Sequence, residues 1–186
     1  MPRPIRPGGP PIVMAVMNPE GIYHCTQRGF HIQTTPLAGG HQMLVNQVCA
    51  FKEAKQDMGQ KGRDLTLSLS RVAFLASTEA EKQERIREAY AYYSRFDNVY
   101  TGPGLVDAGM IRPLPRTQSM EDLAKSLLIC TREEMIDKLA PYAELGIDRV
   151  ILSPNFGSDP ERTHDALQAF SEDVMPLFTH PARIAV

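Results

Sequence analysis

Four segments along the chain read as strands, at 12–17, 31–35, 65–75 and 150–152, and each is followed by helix-start chemistry or helical spacing. The run at 12–17 is unbroken, Ile-Val-Met-Ala-Val-Met, and predicts a strand buried on both faces. The run at 31–35 is a short strand stopped by Pro36. The third alternates, placing Leu65, Leu67, Leu69 and Arg71 on one face and Thr66, Ser68 and Ser70 on the other. Between the second and third, Leu44, Val45, Val48, Cys49 and Lys52 recur at helical spacing within a helix at 41–58.

The boundaries carry their own signals. Asn18-Pro19-Glu20 is an N-cap, a first-turn proline and an acid, opening a helix that ends at Gly29. Thr78-Glu79-Ala80-Glu81 is a capping box and begins a charged helix reaching about Phe96. Residues 119–128 read as a helix, Thr131-Arg132-Glu133-Glu134 caps another that closes at Gly146, and Asp159-Pro160-Glu161 starts the last. Residues 97–118 hold Gly102, Pro103, Gly104, Gly109, Pro113 and Pro115 without a period, which predicts a lid or binding loop. The proline-rich residues 1–11 read as an extended lead-in to a single domain. Strand and helix alternate, so the class is α/β with parallel strands. Four such units are half of a (β/α)8 barrel, which needs eight strands and about 250 residues.

Charge removes some partners. Twenty basic against twenty-two acidic side chains give a formal charge of −2, without a block of like charge, which argues against nucleic acid and anionic membrane. No apolar stretch approaches the roughly 20 residues that span a bilayer. Cys25, Cys49 and Cys130 are odd in number and lack metal-ligand spacing, so the expectation is a soluble cytoplasmic protein with buried thiols and no metal.

The chain has no Gly-x-Gly-x-x-Gly after the first strand, no phosphate loop of the Walker type, no Gly-x-Ser-x-Gly and no His-Glu-x-x-His. What stands at the carboxyl ends of strands is Met17-Asn18-Pro19-Glu20-Gly21, Thr34-Thr35-Pro36 and Ser153-Pro154-Asn155-Phe156-Gly157. The first of these is a helix N-terminus, whose amides and dipole favour an anion. Asn18 serves there either as a cap alone or as a ligand as well. Arg71, on an apolar strand, needs a carboxylate, a phosphate or solvent, and an internal ion pair is the leading expectation. His24 and His31 flank the first helix without an acid or serine at relay spacing, and read as structural. No catalytic residue is assigned.

Several segments resemble the middle and end of bacterial luciferase-like flavin-dependent monooxygenases. They are Arg3-Pro4-Ile5-Arg6-Pro7, Ala15-Val16-Met17-Asn18-Pro19-Glu20, Gln27-Arg28-Gly29, the step at 72–80, and Phe170-Ser171-Glu172-Asp173-Val174-Met175-Pro176. The resemblance implies a partial TIM (β/α)8 barrel, strands five to eight with their helices and a long lid at 97–118. It implies reduced FMN as cofactor, O2 as co-substrate and a small apolar organic substrate. By resemblance, Met17 and Asn18 occupy the turn that holds the flavin phosphate, Gly21 stands where relatives often carry Ser or Thr, and Pro36 lies near the ring. The family's catalytic histidine and cysteine and its main phosphate arginines belong to the other half. The implied partner is therefore a complementary N-terminal half or a second copy in a homodimer; the other expectation is a non-catalytic fragment that binds flavin weakly.

Overall fold

The structure is a computed structural model, and it describes residues 5, 9–36, 40–100, 102–157 and 159–178. Most of the lead-in at 1–11 lies outside the described residues. The main sheet runs in the order β1 (Val13–Ala15), β2 (His31–Thr34), β3 (Leu67–Leu75) and β6 (Leu128–Cys130), with β7 (Arg149–Ser153) also pairing β3. The registers β1–β2, β2–β3 and β3–β6 are all parallel. A separate antiparallel hairpin joins β4 (Val106–Asp107) and β5 (Met110–Ile111). The chain divides into two compact units, residues 1–70 with 142–151, and residues 71–141 with 152–186.

The first unit packs α1 (Pro19–Gln27) and α2 (Gly40–Met58) on one face of its strands. Ile32, Leu67 and Leu69 share that face and are fully buried, together with Ile22, Leu44, Val48 and Phe51. Burying each such side chain stabilises by about 1.5–3 kcal/mol. The opposite face is polar. His31 Nδ1 lies 2.9 Å from Thr66 Oγ1, and Gln33 Nε2 donates to Ser70 Oγ at 2.9 Å. Gly29 closes α1 with its N–H on Thr26 O (2.8 Å) while Phe30 N–H reaches Cys25 O (3.2 Å). Asp148 binds both sides of Leu67, accepting its N–H at Oδ2 (2.9 Å) and donating to its carbonyl (3.1 Å).

One expectation fails here: the first strand is not buried on both faces. Ile12 and Val13 are half exposed and all of β1 is open to solvent. An unbroken apolar run does not distinguish a covered strand from one that ends a sheet, and among the described residues β1 pairs only with β2.

The second unit holds α3 (Glu79–Tyr100), α4 (Met120–Ser126), most of α5 (Arg132–Glu144) and α6 (Pro160–Ala169). Its core joins Phe74, Ala76, Ile86, Ala89, Leu123, Leu127, Ile129, Phe156 and Ala166. The helix read at 119–128 is two elements. Ser119 Oγ caps α4 by accepting Asp122 N–H (3.0 Å), the helix stops at Ser126, and Leu127 turns extended. Leu128, Ile129 and Cys130 then pair with Ala73, Phe74 and Leu75 and are wholly buried. The segment at 97–118 is also more ordered than its composition implies, since α3 continues through Tyr100 and the hairpin follows.

Arg71 Nη2 donates to the backbone carbonyl of Ser126. The alternation it was placed in also ends there. Leu67 and Leu69 pack in the first core, whereas Val72, Phe74 and Ala76 pack in the second.

Candidate functional site

In the first unit two loops follow parallel strands, 16–21 after β1 and 35–36 after β2. They are tied by one side chain. Gln47, fully buried on α2, donates through Nε2 to Met17 O (2.6 Å) and Thr35 O (3.1 Å). Two carbonyl acceptors fix the amide's orientation, which leaves Oε1 buried with no partner among the described residues; Thr34 Oγ1 is in the same state. Met17 is half exposed and Pro36 is buried. Gln47 was not legible as a site residue: it is one polar residue within an amphipathic helix, and its acceptors lie 30 and 12 residues away.

Asn18 is extended (φ −79°, ψ 140°) and its Oδ1 accepts the Gly21 N–H at 2.8 Å. Ile22 N–H bonds Asn18 O (3.0 Å), and Pro19 has no N–H to give. Glycine at 21 fits closely under this cap: a Cβ there would stand 2.3 Å from Asn18 Oδ1 and 2.9 Å from Val16 Cγ1, so the capping side chain would have to shift. The departure from Ser or Thr at this position therefore does more than remove a hydroxyl: the remaining N–H is already occupied. Neither loop carries a basic residue, and Glu20 places a carboxylate in the first turn. These residues do not fit a phosphate group. What they offer is a fixed turn and an apolar edge at Met17 and Pro36.

His31 Nδ1 also accepts the Thr66 N–H at 3.2 Å, and His24 lies exposed, 3.9 Å from Glu20.

The second unit has an open cleft of about 650 Å3 beyond the carboxyl ends of β3 and β6, bordered by Ser77, Thr78, Arg132, Arg162, Asp165 and Asp173. Its polar groups are largely spent on the helices. Glu81 Oε2 accepts both Ser77 N–H and Ser77 Oγ–H at 2.8 Å, and Glu81 N–H returns to Thr78 Oγ1 at 3.1 Å. Glu134 does the same for Thr131, and Lys82 joins it at 2.6 Å. The hydrogen bond from Lys82 holds the Glu134 carboxyl below its usual range, and the same bond raises Lys82. Burial pushes the Cys130 thiol up, away from thiolate chemistry. The loop after β7 is set by Asn155, whose Oδ1 accepts Gly157 N–H at 2.9 Å, and by buried Phe156. The described residues hold no group of three or more metal-ligating side chains. None of their helices is long and apolar enough to cross a membrane.

A parallel α/β sheet with helices after each strand, its loops gathered at strand carboxyl ends, is the class that includes (β/α)8 barrels. No family model matches the sequence. The chain is 25% identical over 185 residues, 96% of its length, to the oxygenase component of a flavin-dependent trigonelline monooxygenase of Acinetobacter baylyi. It spans about half of that relative, 51%. Among solved structures it is similar to the monooxygenase RslO1 of Streptomyces bottropensis, with a TM-score of 0.66, 16% identity, and coverage of 96% of this chain and 51% of that one. It is equally similar, at a TM-score of 0.66 and 19% identity, to the oxygenating constituent of 3,6-diketocamphane monooxygenase of Pseudomonas putida, a type II Baeyer-Villiger monooxygenase solved with FMN; there it covers 93% of this chain and 50% of that one. The chain thus has the fold of half a (β/α)8 barrel and resembles the luciferase-like flavin-dependent monooxygenases.

Proposed function

We propose that this chain is the carboxyl-terminal half-barrel of a cytoplasmic flavin-dependent monooxygenase, an enzyme that uses reduced FMN and O2 to oxidise a small apolar organic molecule. The observation that carries the reading is the likeness, over nearly the whole chain, to half of a flavin-dependent monooxygenase component. Met17, Asn18, Gly21 and Pro36 are proposed as this half's share of the flavin rim. Met17 and Pro36 supply apolar contact, while Asn18 and Gly21 shape the turn and leave the phosphate to basic residues of the complementary half. The exposed edge of β1 supports a strand-forming partner, either that amino-terminal half or a second copy of this chain. FMN, when bound, supplies the electrons that reduce O2; this half's residues position and screen it.

The test is a fluorescence titration of FMN with the purified chain, repeated with protein expressed from any in-frame sequence that extends it upstream. The chain alone should show no saturation at roughly 10 μM flavin, which means binding weaker than about 7 kcal/mol. The extended protein should bind stoichiometrically and consume O2 when FMN is reduced. Tight, stoichiometric binding by this chain as a monomer would overturn the half-barrel reading.

A further inference from the structure

A buried side chain grips the base of the segment at 102–118. Asn98, fully buried in the last turn of α3, donates through Nδ2 to Leu105 O (2.8 Å) and Arg112 O (2.7 Å) and accepts Leu105 N–H at Oδ1 (2.9 Å). Its own backbone carbonyl takes the Gly104 N–H at 3.0 Å. Leu105 and Arg112 flank the hairpin, and Arg112 N–H closes it on Leu105 O at 3.0 Å. One amide thus grips both legs at the base.

A second clamp lies further along. Arg116, whose side chain is 7% exposed, pairs with Asp97 at 2.7 Å, donates to Gln118 Oε1 at 2.9 Å and lies over the rings of Tyr90 and Tyr93 at 5.7 and 5.5 Å. Leu114 N–H bonds Ser94 O at 3.1 Å. Gly102 is fitted to the same base, since a Cβ there would meet Leu114 Cδ1 at 2.7 Å and Asn98 Cα at 2.9 Å. The hairpin turns at Ala108-Gly109, both with positive φ (47° and 78°), the geometry of a tight two-residue turn.

A loop that orders only around a ligand needs none of these fittings. We propose that Asn98 is a positioning residue that makes this segment a pre-ordered arm, presenting Val106 and Met110 at fixed places before any flavin or substrate arrives. Those two side chains are 61% and 67% exposed, so the arm carries an apolar tip that its own unit does not cover. The inference rests on the proposed monooxygenase only for the arm's use; its order is a property of this chain.

The test exploits the absence of tryptophan from the sequence. Met110→Trp places a lone tryptophan on the tip, excited at the red edge where the six tyrosines do not absorb, and its anisotropy decay reads local motion. In the otherwise unchanged chain the decay should follow whole-molecule tumbling; adding Asn98→Leu should introduce a nanosecond component that removes about half the anisotropy. Far-ultraviolet circular dichroism checks that the fold survives, and Arg116→Gln is the second variant if Asn98→Leu does not fold. A fast component already dominant in the Met110→Trp chain would overturn the proposal, as would unchanged anisotropy in a folded variant. Neither result depends on flavin, so failure of the enzymatic reading leaves this test intact.

Discussion

Replacing Gln47 by Met isolates the bond that joins the two strand-end loops. The substitution keeps length and volume while removing the donor that serves Met17 O and Thr35 O. Taking the shared donor from these two part-buried carbonyls costs about 1–3 kcal/mol each, or about 2–6 kcal/mol together. The same change deletes Oε1, a buried acceptor without a partner, which returns about 1–3 kcal/mol. The balance is a loss of about 2 kcal/mol. With urea m-values of about 1–3 kcal/mol per molar, the midpoint of the first unit's transition should fall by about 1 M. The two units need not melt together, so circular dichroism should be paired with hydrogen exchange at Ile32, Leu67 and Leu69 amides.

Gln47→Glu sharpens the test. A buried carboxylate facing two carbonyl oxygens has its folded pKa raised above the unfolded value of about 4.3. The sign follows: the penalty is absent below the unfolded pKa and grows as pH climbs toward the folded one. The variant should approach Gln47→Met near pH 4 and fall well below it at pH 7. An unshifted midpoint for Gln47→Met, with Gln47→Glu flat in pH, would refute the idea that this amide braces the loops.

Other consequences are more local. Gly21→Ala should break the Asn18 cap, because its Cβ would sit 2.3 Å from Oδ1, and should cost at least the roughly 1 kcal/mol of a lost cap. Combined with Asn18→Ala, the two losses should fall short of additivity in thermal melts. Lys82→Met should destabilise the second unit modestly, by less than about 1 kcal/mol, since Glu134 is 44% exposed. Glu134's lowered pKa means that its contribution is present above about pH 4.5 and is lost as pH falls through the folded-state pKa, so the Lys82→Met deficit should shrink as urea titrations are taken to more acid pH.

Local chemistry was legible in the sequence; distant pairing was not. Asn18, Thr78, Thr131 and Asp159 mark real helix starts because a cap and its amides lie within three residues. β6 escaped because three apolar residues after a helix look like more helix until Ala73–Leu75 lie beside them. Asn98 sat in view, at the end of a helix before Gly102 and Gly104. Yet its partners 7 and 14 residues on are set by the hairpin's fold, not by spacing. Gln47 had no local signal at all.

The alternation that set Thr66, Ser68 and Ser70 apart from Leu65, Leu67 and Leu69 marks a polar second face of the sheet, and the structure extends it to β2. Barrel interiors are usually filled by branched apolar side chains. Here that face of β2 and β3 carries His31, Gln33, Thr66 and Ser70, joined across the strands in pairs. A paired polar group can be buried at far lower cost than a lone one, since its hydrogen bonds do not have to be replaced. This face is therefore prepared to be covered without new polar partners, whereas the β1 edge, with half-exposed Val13 and the preceding Ile12, gains by hydrophobic contact and strand pairing. Any complementary half or second copy should accordingly draw its affinity from the β1 edge, and its specificity from how little it disturbs the His31–Thr66 and Gln33–Ser70 pairs.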